Sequence, residues 1–274
     1  MKIKNNVILF STVVSTLLWW LLDANGHSSE LSLTAALTVL IAILWVTEAL
    51  PIPVTSLIPF VAFPMAGVID YKEASSALGS HVILLLMGAF MLSKALEKSG
   101  VHRRIAVYML RLCGSSSAKR LVLGFMLTSA LLSMWISNTA TALMLLPIAM
   151  AIITSMDSPK LATALLLGIA YAASLGGVGT PIGTPPNIIF MSVYQQTTGV
   201  ELSFLNWMMT GVPVVLISIP IMSFWLTRNL SEMPPCDLPK AGGWRAAEKR
   251  VLAVFGIVAL AWIFRPYWSA WTGM

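Results

Sequence analysis

Residues 121–156 read LVLGFMLTSALLSMWISNTATALMLLPIAMAIITSM, an apolar run without one charged side chain, and the polar triplet Ser137-Asn138-Thr139 sits in its middle. Lipid offers no water to satisfy polar groups, so polarity at membrane depth needs partners from protein, water or ligand and commonly marks a site. A second interruption, Gly183-Thr184-Pro185-Pro186-Asn187, lies in a later apolar stretch. It cannot be continuous α-helix, because proline removes backbone donors and clashes with the preceding turn. Two broken apolar segments in one chain are the pattern of a transporter.

Composition sets the same frame. Of 274 residues, 57% are hydrophobic and 10% charged, and the mean hydropathy of +0.84 lies outside the soluble range. The reading is an all-α polytopic membrane protein. A net charge of +6 fits the basic excess of cytoplasmic loops, and nucleic-acid binding is not expected. Cys113 and Cys236 form no CxxC or His-rich metal pattern, and both fall in segments read as cytoplasmic. The first apolar segment follows Lys2 and Lys4 but has no clear cleavage site, so it reads as a retained helix and not a signal peptide.

Spans of about 17–25 apolar residues fit a bilayer, and they are expected at 7–22, 31–50, 52–69, 81–97, 161–194, 204–227 and 251–264. Each arm flanking the triplet has about 16 residues and reaches about 24 Å at 1.5 Å per residue, short of a full crossing. A re-entrant hairpin over residues 117–156 is therefore preferred to two full spans, although loop charge does not separate the two. The expected organisation is scaffold helices and an interfacial arm over 1–116, a transport region over 117–230, a cytoplasmic linker over 231–250, and a further span over 251–274. Basic residues place the N-terminus, the region from Lys94 to Arg120 and the region from Arg228 to Arg250 in the cytoplasm. Between 101 and 112, Val101, Ile105, Tyr108 and Leu112 recur at near-helical spacing with Arg103, Arg104 and Arg111 on other faces. This predicts an interfacial helix, with a continuation of the fourth helix as the alternative.

The polar breaks offer hydroxyls, an amide and backbone carbonyls, with Ser133 four residues before Ser137 on the same face. That is an oxygen set suited to a hard cation. Helix ends aimed at a hairpin tip attract anions through free amides. Neither break contains Asp, Glu, Lys, Arg or His, so an anionic substrate would need a bound cation and helix dipoles to offset its charge. Ordinary interhelical hydrogen bonding and a proline kink are the plainer readings of the two breaks taken singly.

Three stretches carry a family resemblance: Trp45-Val-Thr-Glu-Ala-Leu-Pro-Ile-Pro-Val-Thr55, Met134-Trp-Ile-Ser-Asn-Thr-Ala-Thr141 and Gly176-Gly-Val-Gly-Thr-Pro-Ile-Gly-Thr-Pro-Pro-Asn187. The chain resembles the divalent-anion/sodium symporter family, which carries di- and tricarboxylates or sulfate. The resemblance implies that Ser133, Ser137, Asn138 and the carbonyl of Gly183 bind sodium, and that Asn138, Thr139 and Thr184 touch the substrate carboxylate. It implies a coupling ion and no other cofactor, an elevator-like movement against a dimeric scaffold, and residence in the bacterial inner membrane. Family members pair two inverted repeats, each with one Ser-Asn-Thr hairpin. One triplet is present here, so the chain is expected to be an N-terminal half with the start of the second repeat. The leading expectation is sodium-coupled C4-dicarboxylate transport. Its rivals are a sodium-independent anion exchanger and a non-transporting assembly subunit; an enzyme is not expected, since HExxH and GxSxG are absent.

Overall fold

The computed structural model describes residues 2–114, 116–231 and 242–272. The described residues form helices and connections, in two compact units, residues 1–83 and 84–274. Cys236 lies outside the described residues.

The first unit holds α1 (Lys2–Ala24), α2 (Ser29–Thr47), α3 (Ile52–Met65) and α4 (Tyr71–Leu78). Helices α1 and α2 pack together, with the small residues Ser11, Ser15, Ser32 and Ala36 all buried. Small side chains let membrane helices approach closely where lipid supplies no hydrophobic drive. Ser28 caps α2 by accepting from the Leu31 amide, and Glu48 ends it in the left-handed region at φ 48°. Segment 52–69 does not form the full span expected. Helix α3 has 14 residues with Pro59 and Pro64 inside it, and about 21 Å of helix falls short of the hydrocarbon thickness.

The boundary falls within the first turn of α5 (His81–Ser99), and the second unit continues through α6 (Val101–Cys113), α7 (Ala118–Ser133), α8 (Asn138–Met156), α9 (Pro159–Val178), α10 (Pro185–Thr198), α11 (Phe204–Thr227), α12 (Ala246–Ile263) and α13 (Arg265–Thr272). Its core is α7, which packs against α6, α8, α9 and α11 and buries Val122, Phe125 and Met126 completely. A Cβ at Gly168 would meet Met126 at 3.1 Å, and one at Gly176 would collide with the Ala130 backbone, its Cα 2.5 Å away. These pairings advance together along both helices, so α7 and α9 run parallel. Helix α8 leaves the end of α7 and joins the start of α9 through Asp157 and Ser158, which makes α7 and α8 a helical hairpin. Its second arm has 19 residues, longer than expected, because helix begins inside the triplet. Span 161–194 resolves into α9 and α10 with a break between them, as the two prolines require.

Six helical stretches among the described residues are long and apolar enough to cross a membrane, and the chain is an integral membrane protein. Helix α12, which begins with Glu248, Lys249 and Arg250 in its first turns, is not among them.

The arm helix turns a different face inward from the one expected. Arg104, Val107 and Leu110 join Val101 in burial, whereas Tyr108 and Leu112 are exposed. The reason is a partner far along the chain. Arg104 Nη2 pairs with Glu248 Oε2 at 2.9 Å, its guanidinium donates to the carbonyls of Gly242 and Gly243, and it lies 4.8 Å from the centre of the Trp244 ring. Arg245 donates to Ser99 O at 2.9 Å. At the other end of α12, Arg265 pairs with Glu201 at 2.9 Å, so α12 is tied to α6 at its start and its end lies at the start of α11.

Candidate functional site

Helix α7 stops at Ser133, and Met134 to Ser137 turn the chain. Ser137 then caps α8, its hydroxyl accepting from the Ala140 amide at 3.2 Å. Ser133 is fully buried and its hydroxyl donates to Asn138 Oδ1 at 2.5 Å, which spans the turn and aims the amide. The face of Gly177 is where the two breaks meet. A Cβ placed there would lie 3.1 Å from Asn138 Oδ1, 3.5 Å from Gly183 O and 3.6 Å from Thr184 Cβ. Glycine keeps this space open, and Gly183 approaches so closely that its own Cβ would fall 2.5 Å from Gly177 O.

The break after α9 is held by polar bonds that lipid could not replace. Asn187 Nδ2 donates to Gly177 O at 2.7 Å and to Thr180 O at 2.9 Å. Trp207 Nε1 donates to Val178 O at 2.8 Å, and Gly211 lets α11 approach the same carbonyl. Gly211 is seven positions inside α11, about 10 Å from its start at 1.5 Å per residue. The break therefore sits within the length of a membrane-spanning helix and not at its end.

Of the six residues expected in a site, Ser133, Asn138, Gly183 and Thr184 converge around Gly177. Ser137 contributes as the helix cap. Thr139 sits exposed in the first turn of α8, and Thr184, half-buried at the start of α10, makes no capping bond with its side chain. Asn187, Thr180, Trp207 and Gly177 are not among the site residues expected from the sequence. The signal for Asn187 was present: an amide directly after two prolines, where the backbone has donors missing and carbonyls left over.

Chemically, the cluster is neutral and rich in oxygen. Among the described residues no group of three or more His, Cys, Asp or Glu that could hold a metal is found. Two uncharged oxygens, Asn138 Oδ1 and Gly183 O, lie within 3.5 Å of one point beside Gly177, hard donors of the type an alkali cation takes. For an anion, the first amides of α8 are available at Asn138 and Thr139, whereas α10 opens with Pro185 and Pro186 and has no N–H there to offer. Anion donors on this wall are then the α8 amides and the hydroxyls of Thr139 and Thr184.

Two helices interrupted at one level inside a membrane unit, with uncharged polar groups turned toward each other, are the arrangement in which membrane transporters build their binding sites. The chain belongs to the citrate transporter family, whose model matches residues 42–274. It is 37% identical over 254 residues to the sodium-dependent dicarboxylate transporter SdcS of Staphylococcus aureus (strain USA300), an alignment covering 85% of this chain and 49% of that protein. The SdcS proteins of strains NCTC 8325 / PS 47 and COL match with the same identity and coverage. The chain thus spans about half the length of these curated relatives, and the resemblance drawn from the three motifs holds.

Proposed function

We propose that the chain carries one wall of a sodium-coupled dicarboxylate transport site, and that it works by moving the hairpin across the membrane. The observation that carries this reading is the approach of Asn138 Oδ1 and Gly183 O to one point above Gly177. The SdcS relatives are named as sodium-dependent dicarboxylate transporters. Sodium held by Ser133, Ser137, Asn138 and Gly183 O supplies positive charge in a cluster without lysine or arginine. The α8 amides with Thr139 and Thr184 then meet a carboxylate beside it.

Helices α7, α8, α9 and α11 share one core, so they would travel as a body against a dimeric scaffold, an elevator-type movement. In this reading residues 1–274 are the N-terminal half, and a second hairpin of like chemistry closes the site. The protein resides in a bacterial inner membrane with its N-terminus in the cytoplasm, as its basic residues suggest.

The test is labelled succinate uptake into vesicles containing the purified polypeptide that carries these residues. An inward sodium gradient should drive saturable accumulation that an equal potassium gradient does not. Uptake that ignores sodium and follows internal dicarboxylate would make the protein an exchanger.

A further inference from the structure

Many helical threonines in this chain return their hydroxyls to the carbonyl four residues back. Thr38 bonds Thr34 O, Thr128 bonds Gly124 O, Thr154 bonds Met150 O, Thr163 bonds Pro159 O and Thr227 bonds Ser223 O. This is the default for a hydroxyl in an apolar helix, since it leaves nothing unpaired. Two fully buried threonines depart from it, Thr55 in α3 and Thr141 in α8, and of the two Thr141 shares its helix with the Ser-Asn-Thr triplet. Its own amide bonds Ser137 O at 3.0 Å, so that carbonyl is in place, yet Thr141 Oγ1 is fully buried with no hydrogen-bond partner. The usual return bond to Ser137 O is not made.

The direction follows from helix geometry. Thr141 lies three residues past Asn138 and four past Ser137, on the same helical face. A helical side chain leans toward the N-terminus and covers the turn before its own Cα, which for Thr141 is the Ser137–Asn138 turn. That turn carries the Ser133–Asn138 bond and the oxygen that meets Gly183 O above Gly177. A buried hydroxyl without a protein partner, beside a cluster of converging oxygens, calls for a partner such as a water or an ion.

We propose that Thr141 Oγ1 is a further oxygen of the cation site, facing the ion from the interior of the hairpin below Asn138. The inference rests on the sodium reading above and adds a residue to it. It also gives the hydroxyl a state in which it is satisfied, the ion-bound one. Removing the hydroxyl therefore weakens the bound state and leaves the ion-free protein nearly untouched.

The experiment is ²²Na⁺ binding to the purified full chain in detergent at constant ionic strength, with potassium as the balancing cation. Melting temperature is read in parallel in sodium and in potassium. Thr141→Val keeps the shape and loses the oxygen; Thr141→Ser keeps the oxygen; Thr141→Ala is a second deletion should valine pack badly. Thr128→Val controls for loss of a buried hydroxyl elsewhere, and Asn138→Ala removes the site itself.

Expected is a loss of sodium affinity of about tenfold or more in Thr141→Val and Thr141→Ala, the scale of one charge-assisted contact. Thr141→Ser and Thr128→Val should bind as wild type. In potassium, Thr141→Val should melt with wild type, and in sodium it should lose the stabilisation that wild type gains. Wild-type sodium affinity in Thr141→Val beside a loss in Asn138→Ala would overturn the role of Thr141 and leave the site standing. No sodium binding by the wild-type chain would overturn both.

Discussion

Thr180 Oγ1 donates to the carbonyl of Met134 at 2.5 Å, a buried bond between residues 46 positions apart. Met134 opens the hairpin turn and Thr180 lies in the break after α9, so the two interruptions are one hydrogen-bonded unit. A change at either is felt by the other. Asn187, bonded to Thr180 O from the start of α10, extends the unit to the third helix end.

Thr180→Val keeps the side-chain shape and leaves the Met134 carbonyl unpaired. The expected cost is about 1–3 kcal/mol, the penalty for a buried polar group without a partner. Thermal melting in detergent should show a clear drop for Thr180→Val and little change for Thr180→Ser. Equal melting of Thr180→Val and wild type would mean that the bond does not hold the breaks together.

The α6–α12 contact should respond to acid. The carboxyl of Glu248 is held below the usual carboxylate range by the Arg245 backbone N–H first, and by the Arg104 and Arg245 side chains, against a burial effect that raises it. A lowered pKa in the folded protein contributes stability that is fully present above the unfolded value of about 4.3 and is lost as pH falls through the folded value. The melting-temperature gap between wild type and Glu248→Gln should thus be constant from neutral pH down to about pH 5 and shrink below it. A gap that widens on acidification would contradict the arrangement.

Cys113 reports the proposed orientation. Burial pushes its thiol up from the ordinary value, so labelling should be slow at neutral pH and accelerate as pH rises. An impermeant thiol reagent should reach it only after the cells are opened. Modification of Cys113 in intact cells would reverse the proposed topology.

The breaks were legible because membrane sequence has so little polarity that Ser137-Asn138-Thr139 and the Pro185-Pro186 pair stand out against it. Helix identity was legible for the same reason, as apolar length and proline placement are local properties. What escaped was long-range. Arg104 reads as a solvated face until Glu248, in a segment 144 positions on, supplies the charge that lets it be buried. The meeting of Gly177 with Asn138 and Gly183 also needs the path of three helices, and no periodicity contains it. Thr141 was quoted within a motif and given no role, since a threonine in a helix ordinarily satisfies itself.

The central claim is that Asn138 serves both cation and substrate, and the sodium activation curve of succinate uptake for wild type, Ser137→Ala and Asn138→Ala tests it most directly. The account predicts that Asn138→Ala raises the half-saturating concentrations of sodium and of succinate together. Each should rise by about tenfold or more, the scale of one lost charge-assisted contact. Ser137→Ala should shift chiefly the sodium curve. Unchanged half-saturation for both ligands in Asn138→Ala would contradict the account and remove the hairpin tip from the transport site.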